Sequence, residues 1–140
     1  MIERLREDFP EFRFREGKRF RWRPATKTIT LEGGCAGQKY ELQALHELAH
    51  AILGHADEVY DLERLKCEVA AWELVRTELA ARYGVAWDEE FVQDMLDTYR
   101  AWLHKKSACP ACKQCRVQTK TGEYACLNAC ELISSLDHGG

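Results

Sequence analysis

In the run His46-Glu47-Leu48-Ala49-His50, two imidazoles stand four residues apart around a carboxylate. On a helix, residues at that spacing differ by only about 40° in direction. Both rings then project from one side and can share a metal ion, with Glu47 beside the ion but not bound to it. Zinc suits such a pair. It takes neutral imidazole nitrogens, and a catalytic zinc keeps one position for a water whose pKa falls to about 7. A carboxylate next to that water is placed to act as general base, and Glu47 is the candidate.

Two histidines need a third protein ligand. Past a short acidic connection, Leu65, Trp72, Val75 and Leu79 recur at helical spacing, and Glu68 falls in the same apolar stripe. A carboxylate among apolar residues needs a cation, a polar network or a metal. Glu68 is therefore the leading third ligand, with Glu73 and Asp61 as substitutes. His55 lies five residues past His50, where a metzincin third histidine would lie six past it, so that arrangement fails. His55 is expected to cap the helix or to donate a hydrogen bond from behind the ligands. Tyr40, Tyr60 and His55 are the candidates for stabilising an oxyanion.

The stretch Ala44 to His55, followed by Glu68-Val69-Ala70-Ala71-Trp72, resembles the gluzincin metallopeptidases of the ImmA/IrrE type, including their short phage and prophage members. The resemblance spans roughly residues 10 to 80 and rests on the HExxH run, the Gly-His pair after it and a glutamate on the next helix. It implies a zincin-like fold, a zinc ion on His46, His50 and Glu68, Glu47 as the base, and cleavage of a protein substrate such as a regulatory protein. The family's acid, alanine and phenylalanine pattern on the glutamate helix is only partly matched.

A second metal-binding pattern lies near the end. Of 7 cysteines, Cys109, Cys112, Cys115, Cys126 and Cys130 cluster in the last 32 residues. Cys109-Pro110-Ala111-Cys112 has zinc-knuckle spacing, and Cys126 and Cys130 form a second pair beyond a hairpin centred on Thr121-Gly122. A zinc ribbon with four thiolates is expected, with Cys115 as a substitute ligand; an iron–sulfur cluster is the alternative. Cys35 and Cys67 read as bystander and core thiols.

The elements that must position these groups are legible as changes of period. Residues 12 to 32 alternate, with Phe12, Phe14, Phe20 and Trp22 opposite Arg13, Arg15, Arg19, Arg21 and Arg23. Two strands joined near Glu16-Gly17-Lys18 are expected, then a third at Thr28 to Leu31. Helical spacing follows from about Lys39 to Gly54, with Leu42, Leu45, Ala49, Ile52 and Leu53 turned inward. A second helix is expected near Leu62 to Tyr83, stopped by Gly84, and a third after Asp88, carrying Phe91, Met95, Leu96, Tyr99, Trp102 and Leu103. The expected class is α+β: a small antiparallel sheet packed on the active-site helix and two further helices over residues 1–106, then a Cys-rich zinc module over 107–140.

Composition supports a folded chain, with 46% hydrophobic and 31% charged residues. The start is charged where a signal peptide would be apolar, and no run is long enough to span a membrane, so a cytoplasmic location and no membrane partner are expected. The net charge of -3 conceals a basic segment from Arg13 to Lys27 and acidic stretches later. Besides a protein substrate, nucleic acid is thus a candidate partner, through the arginine-bearing strands and the basic tail (Lys105, Lys106, Lys113, Arg116, Lys120). The competing reading is a zinc-bearing adaptor for nucleic acid or protein; an HExxH domain followed by a zinc ribbon is similar to the layout of SprT-like proteases.

Overall fold

The computed structural model describes residues 1–56, 60–108, 117–118 and 123–125. In chain order they form α1 (Ile2–Asp8), β1 (Arg13–Gly17), β2 (Arg21–Arg23), β3 (Thr28–Glu32), α2 (Gln38–Leu53) and α3 (Asp61–Leu74). Helix α3 runs on through a π-helical turn (Val75–Leu79) into a last turn (Ala80–Arg82). After it come α4 (Glu89–Ser107) and the short strands β4 (Val117–Gln118) and β5 (Tyr124–Ala125). The class is α+β. Among the described residues, no helix is long and apolar enough to cross a membrane.

The sheet is mixed, which corrects the antiparallel sheet and the β1–β2 hairpin expected from the alternation. Strand order is β1-β3-β2, with β1 parallel and β2 antiparallel to β3. The physical reason lies in β3, whose Ile29 and Leu31 are fully buried and which carries no arginine. The most apolar strand takes the centre, and the arginine-bearing strands become edges, where charge is tolerated. Phe14 and Trp22 pair with Ile29 from either side, so one row of three faces the helices.

Helix α2 buries Leu42, Ala44, Leu45, Leu48, Ala49 and Ala51 in the core. Ile52 and Leu53, expected in that stripe, are exposed, because the helix ends beside them at Gly54. Gly54 adopts a left-handed φ of 68°, and the amides of Gly54 and His55 bond back to the carbonyls of Ala51 and His50. This closure uses carbonyls that a helix end leaves without partners, and it folds His55 back over the last turn. Gly84 ends α3 in the same way, with Gly84 and Val85 bonding to Ala81 and Ala80.

Helix α1 was not apparent in the sequence; it buries Leu5 and is tied to the end of α3 by Tyr83 Oη donating to Asp8 at 2.6 Å. In α4, Asp88 caps the N-terminus by accepting from the Phe91 amide at 3.0 Å. Its buried residues are Val92 and Leu96, whereas Met95 and Trp102 of the expected stripe are exposed.

Beyond α4, β4 and β5 pair antiparallel. Gln118 and Tyr124 from these strands, with Lys106 of α4, converge on the buried Asp61 at the start of α3. Cys109, Cys112, Cys115, Cys126 and Cys130 lie outside the described residues.

Candidate metal centre

Glu68 approaches His46 and His50 because α3 returns along α2. Glu68 lies against both histidines, and Trp72, one turn further on, stacks on His46 alone, with centroids 4.2 Å apart and planes at 24°. His46 Nε2 is 2.7 Å from Glu68 Oε2 and 3.0 Å from His50 Nε2, and His50 Nε2 is 3.3 Å from Glu68 Oε1. Three potential ligand atoms therefore sit within 4.8 Å of one another.

This triangle fits a zinc ion. Ligand atoms about 2.0–2.1 Å from a tetrahedral zinc stand about 3.3 Å apart, close to the edges found here. A shared proton joins only two nitrogen or oxygen lone pairs, whereas a cation at the centre engages all three. His46 is pushed below its ordinary pKa, chiefly by burial, and is therefore the neutral imidazole that metal binding requires. Without a metal, burial opposes ionisation of Glu68, but hydrogen bonds accepted from His46 and His50 outweigh it and hold the carboxyl far below its usual range; a cation bound here would take the place of those protons.

The second nitrogen of His50 is also engaged. His50 Nδ1 lies 2.8 Å from His55 Nδ1, so one of the two must donate. For His50 Nε2 to offer a lone pair, its proton belongs on Nδ1, which then donates to His55. His55 is held by its own backbone, since Trp22 Nε1 donates to the His55 carbonyl at 2.9 Å. His55 is pushed below its ordinary pKa by burial and by the charge of His50, which keeps its acceptor nitrogen available.

Glu47 opens into the same cleft, which has a volume of about 320 Å³ and is lined by Glu47, His50, Glu68 and His55 together with Phe20, Trp22 and Arg64. Burial, opposed by the charge of His50 and helped by that of Glu68, pushes the Glu47 carboxyl up to about 7. A group titrating there accepts and releases protons near neutral pH.

The remaining candidates lie elsewhere. Glu73 is exposed and paired with Arg76, and Asp61 is engaged by Lys106 and Tyr124, so neither joins the triangle. Tyr60 is exposed at the start of α3, and Tyr40 packs on Phe20; neither lines the cleft. Cys35 is exposed. Cys67, expected in the core, is half-buried and lines the cleft beside Glu68, and its thiol is pushed up by burial and by that carboxylate.

Trp22, Arg64 and Trp72 carried no assigned role in the sequence. A signal existed for two of them. Arg64 and Trp72 stand four residues before and after Glu68, which puts all three on one face of α3. Comparison with family models, with curated proteins and with solved structures finds no match, so the site stands on its residues and geometry.

Proposed function

We propose that the chain is a zinc-dependent peptidase of the gluzincin type, with a zincin-like core similar to the ImmA/IrrE group. The observation that carries this reading is the convergence of His46, His50 and Glu68 on one point, with Glu47 in the same cleft. Bound there, a zinc ion supplies Lewis acidity toward a substrate carbonyl and toward water. The Glu47 carboxylate takes the proton of the attacking water and passes it to the leaving amine nitrogen. His55 fixes the tautomer of His50, and Trp72 braces the ring of His46.

β2 suits an extended peptide as the substrate. This strand pairs only with β3 among the described residues, and its Arg21 and Trp22 line the cleft. A substrate chain can add along that free edge through backbone hydrogen bonds, with its scissile bond carried toward Glu47. In this reading residues 1–106 form the catalytic body, and 107–140 bind a structural zinc through Cys109, Cys112, Cys126 and Cys130, with Cys115 as a substitute.

The test is cleavage of an unfolded protein by zinc-loaded full-length chain, compared with Glu47→Gln. Loss of cleavage with zinc content unchanged supports the peptidase. Equal cleavage by both proteins, or none by either, favours a zinc-bearing adaptor.

A further inference from the structure

We propose that the outer face of the sheet is a docking surface for a nucleic-acid backbone, held through its phosphates and without base recognition. Strand register carries this. On the face turned away from the helices, Arg15 and Arg21 flank Thr30, and Arg13 and Arg23 flank Thr28. Two Arg–Thr–Arg rungs thus lie side by side. Neighbouring strands are about 4.8 Å apart and alternate residues about 6.7 Å apart along a strand. The arginines therefore form two columns about 10 Å apart, with short hydroxyl side chains along the floor between them.

Gly17, Lys18 and Arg19 at and after the end of β1, with Thr26, complete the lining of this concavity of about 660 Å³. Six cations line it and no carboxylate does. Arg6, Arg76, Arg82 and Arg100 each have a carboxylate partner, whereas none of these six has an ion pair among the described residues. Arg4, Lys27, Lys39, Lys66 and Lys105 also have no ion pair among those residues, so the contrast is with the paired arginines. In a chain of net charge -3, acids are plentiful, yet among the described residues none lines this concavity; Glu32, opposite Gly17 on the same face, lies just beyond it.

Protection of sheet edges accounts for some charge on β1 and β2. It does not account for Lys18 and Arg19 off the strands, nor for an open threonine floor on the central strand. A repeating polyanion accounts for all of these. Guanidinium groups bind phosphate oxygens in pairs, and their regular spacing along each column suits a regularly repeated charge. A lipid surface fits less well, because this face offers no large apolar side chain for insertion. The absence of aromatic residues from the lining points to contact through phosphates and not to stacking on bases.

The test is fluorescence anisotropy of a labelled 30-mer, as single strand and as duplex, with the full chain across a salt series. Binding is expected to weaken steeply with salt, with a log–log slope of about -3 to -5 for four to six phosphate contacts. Arg15→Gln/Arg21→Gln is expected to weaken binding about tenfold or more and to reduce the slope by about 2, with the circular dichroism spectrum unchanged. A matched substitution of Lys105 and Lys106 is expected to change binding less. Absence of binding at 50 mM salt, or full binding by the arginine variant, overturns the proposal. So does tighter binding to anionic phosphatidylserine vesicles or to polyglutamate than to either oligonucleotide. Because the assay reads neither zinc nor cleavage, its outcome is independent of the peptidase reading.

Discussion

His50 and His55 face each other Nδ1 to Nδ1 at 2.8 Å across the left-handed turn at Gly54. The turn makes the contact, and the Trp22 indole holds it from the sheet side. Groups that orient a ligand from behind typically change metal affinity by about 10–100-fold when removed. His55→Ala is expected to weaken zinc binding within that range, and Trp22→Phe to do so to a smaller extent, both read by competition with a chromogenic chelator. Gly54→Ala meets no neighbouring atom within 4 Å, so its cost is that of the left-handed backbone, about 1–2 kcal/mol. Its zinc affinity is expected to fall with that of His55→Ala.

The three candidate ligands are expected to act as a unit. Replacing His46, His50 or Glu68 by Ala should lower zinc per chain by one relative to wild type, measured by elemental analysis after dialysis. Free zinc at about 100 times its dissociation constant stabilises a single site by about 2.7 kcal/mol, so wild type should melt later with zinc than without it. The Ala variants should lose that increment at this site.

Glu47 is expected to reduce the stability of the metal-free chain. Its carboxyl is raised from 4.5 to about 7, so the folded state holds its proton more tightly than the unfolded state does. Stability from this group is therefore full below about pH 4.5 and is lost as pH rises through about 7, a difference of about 3 kcal/mol. Glu47→Gln should accordingly unfold at higher denaturant than wild type at pH 8 when both are free of metal, and the difference should shrink toward pH 4.5. Cleavage should fall by about a hundredfold or more, as expected on loss of a general base.

Asp61 ties the β4–β5 strands to the helix that carries Glu68. Burial alone would raise its pKa, but hydrogen bonds from Lys106 and Tyr124 outweigh that effect and leave the carboxyl below its ordinary value. A depressed carboxylate stabilises above its unfolded pKa, and that stabilisation is lost as pH falls through the folded value. Asp61→Asn should mimic the acid state at neutral pH. Losing a buried charged partner costs about 1–3 kcal/mol, which corresponds to roughly five- to 150-fold faster hydrogen exchange in β4 and β5.

The site was easier to read than the sheet. His46, Glu47 and His50 lie within little more than one helical turn, so their juxtaposition follows from local geometry alone. Glu68 was recognisable because a carboxylate in an apolar stripe demands a partner. The order of strands was not, because alternation reports which face a residue takes and says nothing of its neighbour. Hence β1 and β2 read as a hairpin although β3 lies between them. Helix α1 was hidden because one buried leucine, Leu5, leaves no periodic trace in seven residues. The exposure of Ile52 and Leu53 depends on where α2 ends relative to the core, which hydrophobicity alone does not specify.

The π-helical turn at Val75–Leu79 makes chain length itself a structural constraint. Ala71, Val75, Leu79 and Tyr83 are all buried and follow one another at steps of four. In a pure α-helix each such step drifts by about 40°, so the row would wander around the axis by about 120°. The wider turn takes back part of that drift and keeps Tyr83 on the side of Asp8. Deleting the exposed Thr77 would restore tighter winding and rotate Tyr83 and Gly84 away from α1. An insertion or deletion here acts like a slipped tooth in a gear, displacing a seam far from the altered residue while leaving His46, His50 and Glu68 chemically intact.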